Sequence, residues 1–203
     1  MSTALTWLHL SDLHACKPRT GWDAKLVTDT LCKDLKKMYK DHGLRPDLIF
    51  FTGDAAYGHI GSGDGKSITE QFRDAHDFFT AVRESFEPVI EQRNVFLVPG
   101  NHDVNRTKIS KFETQALENM TSLDEVTNFV KEAGLEWQRI FGRLDDYADF
   151  LKAYGYDHLL TNRKHLIYAD AREISGLRVG IAGFNSAWSS KGTGRAEIRR
   201  AHV

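Results

Sequence analysis

Three short apolar runs, Leu5 to Leu10, Leu48 to Thr52 and Val95 to Val98, alternate with two longer stretches in which apolar residues return at helical spacing. In the first stretch Trp22, Leu26, Thr30, Leu31, Leu35 and Met38 share a face, and His42-Gly43 followed by Pro46 closes it. In the second, Phe72, Ala75, Phe78, Phe79, Val82 and Phe86 repeat in the same way up to Pro88. Strand, helix, strand, helix, strand predicts right-handed crossovers and a sheet that is at least partly parallel, hence an α/β sandwich of mixed sheets flanked by helices. From Leu123 to Ala153 the pattern is again helical, carried by Val126, Phe129, Val130, Leu135, Ile140, Leu144, Tyr147, Phe150 and Leu151. Breaks near Gly134 and Gly142 predict two or three helices packed over the sheet. Two later runs, His165 to Ala169 and Leu177 to Ala182, flank the polar stretch Asp170 to Gly176 and predict an antiparallel hairpin. No repeat or linker interrupts residues 1–203, which read as one domain.

Composition narrows the class without naming a chemistry. At 203 residues, 41% hydrophobic and 27% charged, the chain can bury a substantial core, which excludes disordered and fibrous classes. Its 27 basic and 28 acidic side chains leave a formal charge of −1, so no global field draws it to nucleic acid or an anionic membrane. Lys33, Lys36, Lys37 and Lys40 form a local basic cluster, read as the solvated face of a helix. No apolar stretch approaches the roughly 20 residues of a membrane span, and Met1-Ser2-Thr3-Ala4 lacks the features of a signal peptide. A cytoplasmic protein without a membrane partner is expected. Cys16 and Cys32 form neither a disulfide framework nor a CxxC knuckle. Cys16, two residues past His14, reads as a thiol without function.

Each of the three apolar runs is followed at once by a polar motif: Asp12-Leu13-His14, Gly53-Asp54, and Gly100-Asn101-His102-Asp103. Parallel strands would deliver all three to one sheet edge, where open α/β folds place their ligands. A carboxylate and an imidazole one residue apart at a strand end can turn toward a single ion, which gives Asp12 and His14 one metal. Asp54 has two carboxylate oxygens able to bridge to a second ion roughly 3.5 to 4 Å away. Asn101 offers that second ion a neutral amide oxygen, on a backbone path that Pro99 and Gly100 make tight. A donor set without thiolate favours two divalent ions such as manganese, iron or zinc. His102 is placed to give a proton to a leaving alkoxide while a hydroxide held by the metals attacks phosphorus in line. Asp103 is expected to orient that imidazole.

Taken together, Leu10-Ser11-Asp12-Leu13-His14, Thr52-Gly53-Asp54 and Pro99-Gly100-Asn101-His102-Asp103 resemble the first three signature blocks of the calcineurin-like metallophosphoesterases. The resemblance implies an α/β sandwich holding two metals, with Asp12, His14 and Asp54 around the first, Asp54 and Asn101 on the second, and His102 as catalytic imidazole. It implies a hydrolase acting on phosphate esters, with phosphodiesters of the nucleotide or nucleic-acid type as the leading substrates. Gly183-Phe184-Asn185-Ser186-Ala187-Trp188 is also similar to a strand-end segment of bacterial phosphodiesterase members. Two further family blocks, a His-His-Pro context and Gly-His-x-His, have no counterpart, and the surroundings of His202 resemble neither. The expectation is therefore an N-terminal portion of the domain lacking its C-terminal part, with further domains beyond it. The alternatives are a non-catalytic binding or scaffold module of this type and the N-terminal effector of a larger multidomain bacterial protein.

The other candidates take plainer readings. Alone, Asp12 and His14 would be a turn-capping Asp and a surface His. His9 reads as a satisfied core histidine or a support for the metal ligands. His42, His76, His158 and His165 get no functional role, and His59 reads as a loop histidine. Gly61 to Ser67 ends in the Gly-Lys-Ser of a phosphate-binding loop, but only three residues separate Gly61 from Gly65 and Ile60 stands where the first glycine should. It reads as a flexible surface loop beside the metal site. The phenylalanines of the second helix read as core.

Overall fold

The computed structural model describes residues 5–15, 24–58 and 66–191. Strand β1 (Trp7–Leu10) pairs in parallel with β2 (Leu48–Thr52), which pairs in parallel with β3 (Val95–Val98). Leu10 lies opposite Phe51 and Thr52 opposite Val98, so the C-terminal ends of the three strands share one rim. Parallel neighbours need crossovers. Helices α1 (Ala24–His42) and α2 (Ile68–Arg83) supply them and pack on each other. β2 and β3 have the predicted bounds, whereas β1 starts at Trp7 rather than Leu5. The cause is local: the Thr6 amide donates to the Asp47 carboxylate at 2.9 Å, and the Thr6 carbonyl accepts from the Asp47 amide at 2.8 Å.

α2 starts where its cap dictates. The Ser67 hydroxyl accepts from the Glu70 amide at 3.2 Å, and the Glu70 carboxylate accepts from the Ser67 amide at 2.8 Å. Its buried face carries Phe72, Ala75, Phe78, Phe79 and Val82, the predicted stripe. Phe79 meets Phe51 of β2 edge to face at 4.9 Å between centroids. Burial of such a ring stabilises the fold by about 2–3 kcal/mol relative to exposure.

The Leu123 to Ala153 region forms three helices, α4 (Leu123–Glu132), α5 (Leu135–Gly142) and α6 (Asp145–Ala153). Between the first two, Ala133 takes a left-handed conformation and Gly134 caps the next helix. α6 packs on α2, with Phe150 stacked on Phe72 at 5.1 Å. A further helix, α3 (Lys111–Asn119), had no apolar stripe to announce it, since Leu117 is its only buried residue. Its signature is the capping box of Ser110 and Glu113.

The hairpin is present but placed differently. β4 (Tyr168–Ile174) and β5 (Leu177–Gly183) pair antiparallel around Ser175 and Gly176, whose positive φ values of 51° and 79° fit a type I′ turn. The polar stretch read as a separator is mostly strand. Arg172 and Asp170 pair at 2.7 Å, so the polarity there marks a charged strand face and not a loop. β5 lies against β3, which carries its C-terminal end to the rim. No helix among the described residues is long and apolar enough to cross a membrane.

Candidate metal centre

At the shared rim the chains leaving β1 and β2 run side by side. The amides of Asp12, His14 and Ala15 donate to the carbonyls of Gly53, Asp54 and Ala55 at 3.0, 2.9 and 2.9 Å. This requires unusual backbone, with φ of 56° at Asp12, 49° at His14, 107° at Gly53 and 60° at Asp54. For the non-glycine residues that conformation costs of order 1–3 kcal/mol each and persists only where the surroundings impose it. It breaks the strand alternation where the chain leaves β1 and β2. The ends of β2 and β3 touch through glycine. A Cβ on Gly100 would collide with the Asp54 amide and carboxylate, and one on Gly53 would sit 2.9 Å from the Gly100 Cα.

Asp103 ties this framework together. Its fully buried carboxylate accepts from the amides of Asp54 (3.0 Å), Ala56 (2.7 Å) and Gly100 (2.8 Å). Burial pushes its carboxyl up to about 7, with the Asp54 charge adding to the effect and the amide bonds opposing it. The expected role of Asp103 at the His102 ring is therefore corrected: its oxygens are committed to backbone. The ring is oriented by Tyr57, whose carbonyl oxygen lies 2.7 Å from His102 Nδ1.

Within the framework, His14, Asp54 and His102 bring donor atoms within 4.8 Å of one another. His14 Nε2 is 3.4 Å from Asp54 Oδ2, and Asp54 Oδ1 accepts from the His102 amide at 2.9 Å. The two imidazole rings are 4.7 Å apart. The hydrogen bond to Asp54 holds the His14 imidazolium above its usual value against the opposing effect of burial, and the charges of Asp54, Asp12 and Asp103 add to it. Burial pushes Asp54 up, but the hydrogen bonds from His14 and the His102 amide outweigh it and hold the carboxylate below its usual range. A pocket that favours a proton beside carboxylates is one where a cation can replace that proton. Imidazole and carboxylate donors suit a divalent transition ion.

Asp12 and Asn101 lie outside that triad. They line an adjoining cleft of about 220 Å³ together with Asp54, Thr52, Gly53 and Gly100. Asp54 thus belongs to both the triad and the cleft. The facing wall of the cleft comes from the chain after β5: Phe184, Ser186, Ala187, Ser189 and Ser190. Arg143, only 1% exposed, holds this wall, donating to the carbonyls of Trp188 at 2.6 Å and Ser190 at 3.1 Å as well as Ile140 at 2.9 Å. Its own carbonyl accepts from the Asn105 amide at 2.8 Å, two residues past Asp103.

Sequence reasoning missed Tyr57, Arg106 and Arg143. Tyr57 sets its ring against both His14 and His102, at 5.5 and 5.3 Å. Arg106 brings Nη2 to 3.0 Å from His102 Nδ1. Both stand three or four residues past a motif, and that closeness was their only signal. Arg143 had none, because its partners lie 45 and 47 residues away. His9 is exposed and bonded to the Thr52 hydroxyl at 2.7 Å, so it is not a core residue. The lysines of α1 are exposed, as expected of a solvated face. Lys66 pairs with Asp74 and Ser67 caps α2, which accounts for the Gly-Lys-Ser sequence without a nucleotide. Cys16, His59, Gly61 to Gly65 and His202 fall outside the described residues.

Carboxylate and imidazole side chains gathered at the C-terminal rim of a parallel sheet form a candidate group of metal ligands on a mixed α/β fold. The family model described as calcineurin-like phosphoesterase matches residues 5–182, and the chain belongs to that family. No curated protein matches it significantly.

Proposed function

We propose that this chain is a metal-dependent phosphoesterase acting on phosphodiesters of the nucleotide or nucleic-acid type, with two divalent ions of the manganese, iron or zinc class. The observation that carries this reading is the convergence of His14, Asp54 and His102 within 4.8 Å beside a cleft lined by Asp12 and Asn101. Asp12 and His14 would hold one ion, Asn101 the other, and Asp54 both. When bound, such ions supply Lewis-acid polarisation of the phosphoryl group and of water.

The chain's own groups supply the rest. His102 Nδ1 is taken up by the Tyr57 carbonyl at 2.7 Å and Arg106 Nη2 at 3.0 Å, so Nε2 would be the atom that exchanges a proton with substrate. Asp103 keeps the Asp54 and Gly100 backbone in place, a positioning role. Tyr57 sets its ring beside both imidazoles.

The test is metal analysis together with hydrolysis of bis(p-nitrophenyl) phosphate in added Mn2+. His102→Ala is expected to retain bound metal and lose turnover by at least 100-fold. Asp54→Ala is expected to lose both. An Asp54→Ala variant that keeps its metal and its rate would refute the bridging assignment.

A further inference from the structure

The wall facing the metal centre displays an aromatic ring to water. Phe184 is 76% exposed, yet it lines the same cleft as Asp12, Asp54 and Asn101. Other strongly exposed apolar side chains, such as Phe112, Leu123 and Leu135, line no part of that cleft. Scattered exposed apolar residues need no explanation, but one aimed into a polar cleft does.

The chain fixes Phe184 outward from both sides. Gly183 before it is buried against the Tyr168 ring, where a Cβ would collide. Asn185 after it is buried, donating from Nδ2 to the His165 carbonyl at 3.2 Å and accepting the Ala187 amide at 3.0 Å. Strand alternation then leaves Phe184 no way into the core. The Arg143 bonds to Trp188 and Ser190 keep the following turn from moving away. Among the described residues no aromatic ring stacks on Phe184, whereas Tyr57 across the site is already engaged with two imidazoles. An uncovered ring face beside the candidate metal centre suits a planar group attached to the phosphate.

We propose that Phe184 is a specificity-determining platform on which the nucleobase of a nucleotide phosphoester stacks while its phosphate sits at the rim. This deepens the phosphoesterase reading and rests on it. Base stacking on an aromatic side chain tolerates any base, so the platform selects nucleotides as a class and not one sequence.

The experiment compares two phosphomonoesters of equal charge, thymidine 5′-phosphate and glycerol 3-phosphate, by titration calorimetry on the full chain with Mn2+. The wild type is expected to bind the thymidine ligand roughly tenfold more tightly. In Phe184→Ala and Phe184→Leu that ratio is expected to fall to near one, and in Phe184→Tyr to be restored. Restoration by leucine would show that apolar contact suffices and would overturn the planar-ring assignment. An unchanged ratio in Phe184→Ala, or equal binding of both ligands by the wild type, would overturn it while leaving the phosphoesterase reading intact. Failure of both phosphates to bind a folded, metal-loaded chain would overturn both.

Discussion

The two walls of the cleft are built by different means. In the rim wall, from Asp12 to Ala15, Gly53 to Ala56 and Gly100 to Asp103, backbone hydrogen bonds join the segments after β1 and β2, and the Asp103 carboxylate ties in the segment after β3, all within a few residues of adjacent strands. The facing wall, Phe184 to Ser190, is held by the side chains of Arg143 and Asn185 reaching across long sequence separations. The rim also carries three non-glycine residues with positive φ, whereas none falls within the facing wall. Strain concentrated on the rim is consistent with ligand positioning, and its absence opposite is consistent with a surface that can vary while the chemistry stays fixed.

The largest expected effect comes from cutting the tie inside the rim. Asp103→Ala would leave three buried amides without their acceptor, a loss of about 3–5 kcal/mol by urea unfolding. Metal uptake should fall with it. Asp103→Asn keeps one amide oxygen as acceptor and should cost about half as much. A loss below about 1 kcal/mol in the alanine variant would mean the rim does not depend on this carboxylate.

The facing wall should break separately. Arg143→Met removes donors to three carbonyls and is expected to cost about 2–3 kcal/mol. Trp188 packs between Trp137 and Phe129 at 5.3 and 6.1 Å, so its fluorescence should report the loosening. Metal content should hold, because no rim donor contacts the Arg143 side chain. Loss of metal in this variant would show the two walls to be one unit.

The same contrast explains what could be read from residues alone. The rim was legible because its polar side chains sit next to the strands that place them: once Leu48 to Thr52 and Val95 to Val98 are strands, Asp54 and Asn101 fall at the same sheet edge. The facing wall was legible only as a segment, since nothing near Arg143 or Asn185 in sequence signals the carbonyls they hold. Asp103 was assigned a partner by adjacency to His102, but a short turn points its carboxylate back at the strands instead. The hairpin was displaced because Asp170 and Arg172, ion-paired on the half-buried face, and the exposed Glu173 on the other look like a loop to any polarity count.

Away from both walls, acid should weaken the fold through two histidines. Burial lowers His76, beside Asp77 and Arg83, and His158, beside Arg172, Asp170 and Asp157, whose ring nitrogen meets the Val95 carbonyl at 3.0 Å. Their folded values lie below the unfolded value of about 6.5, so the unfolded chain takes up protons first. Their contribution is complete above that pH and is lost as pH falls through the lowered folded values. Each should amount to less than about 1 kcal/mol after solvent screening. His76→Phe should therefore show a shallower loss of stability between pH 7 and 5 than the wild type. Parallel curves for the two proteins would remove His76 from the account.

An effect near zero on substrate binding separates the metal rim from a competing phosphate site. If Gly65-Lys66-Ser67 held phosphate, Ser67→Ala would impair substrate binding. The structure gives the hydroxyl a different task, accepting the Glu70 amide at 3.2 Å as cap of α2. Loss of such a cap costs about 1 kcal/mol. Glu70 should lose part of its stabilisation with it, because the Ser67 side chain and amide both hold its carboxylate below the usual range. Ser67→Ala is thus expected to lower the unfolding midpoint slightly, with KM for bis(p-nitrophenyl) phosphate within twofold of wild type. Ser67→Asp, which preserves an N-cap acceptor but adds a negative charge, should recover the stability. A tenfold rise in KM in either variant would place substrate phosphate at this helix start and not at the rim.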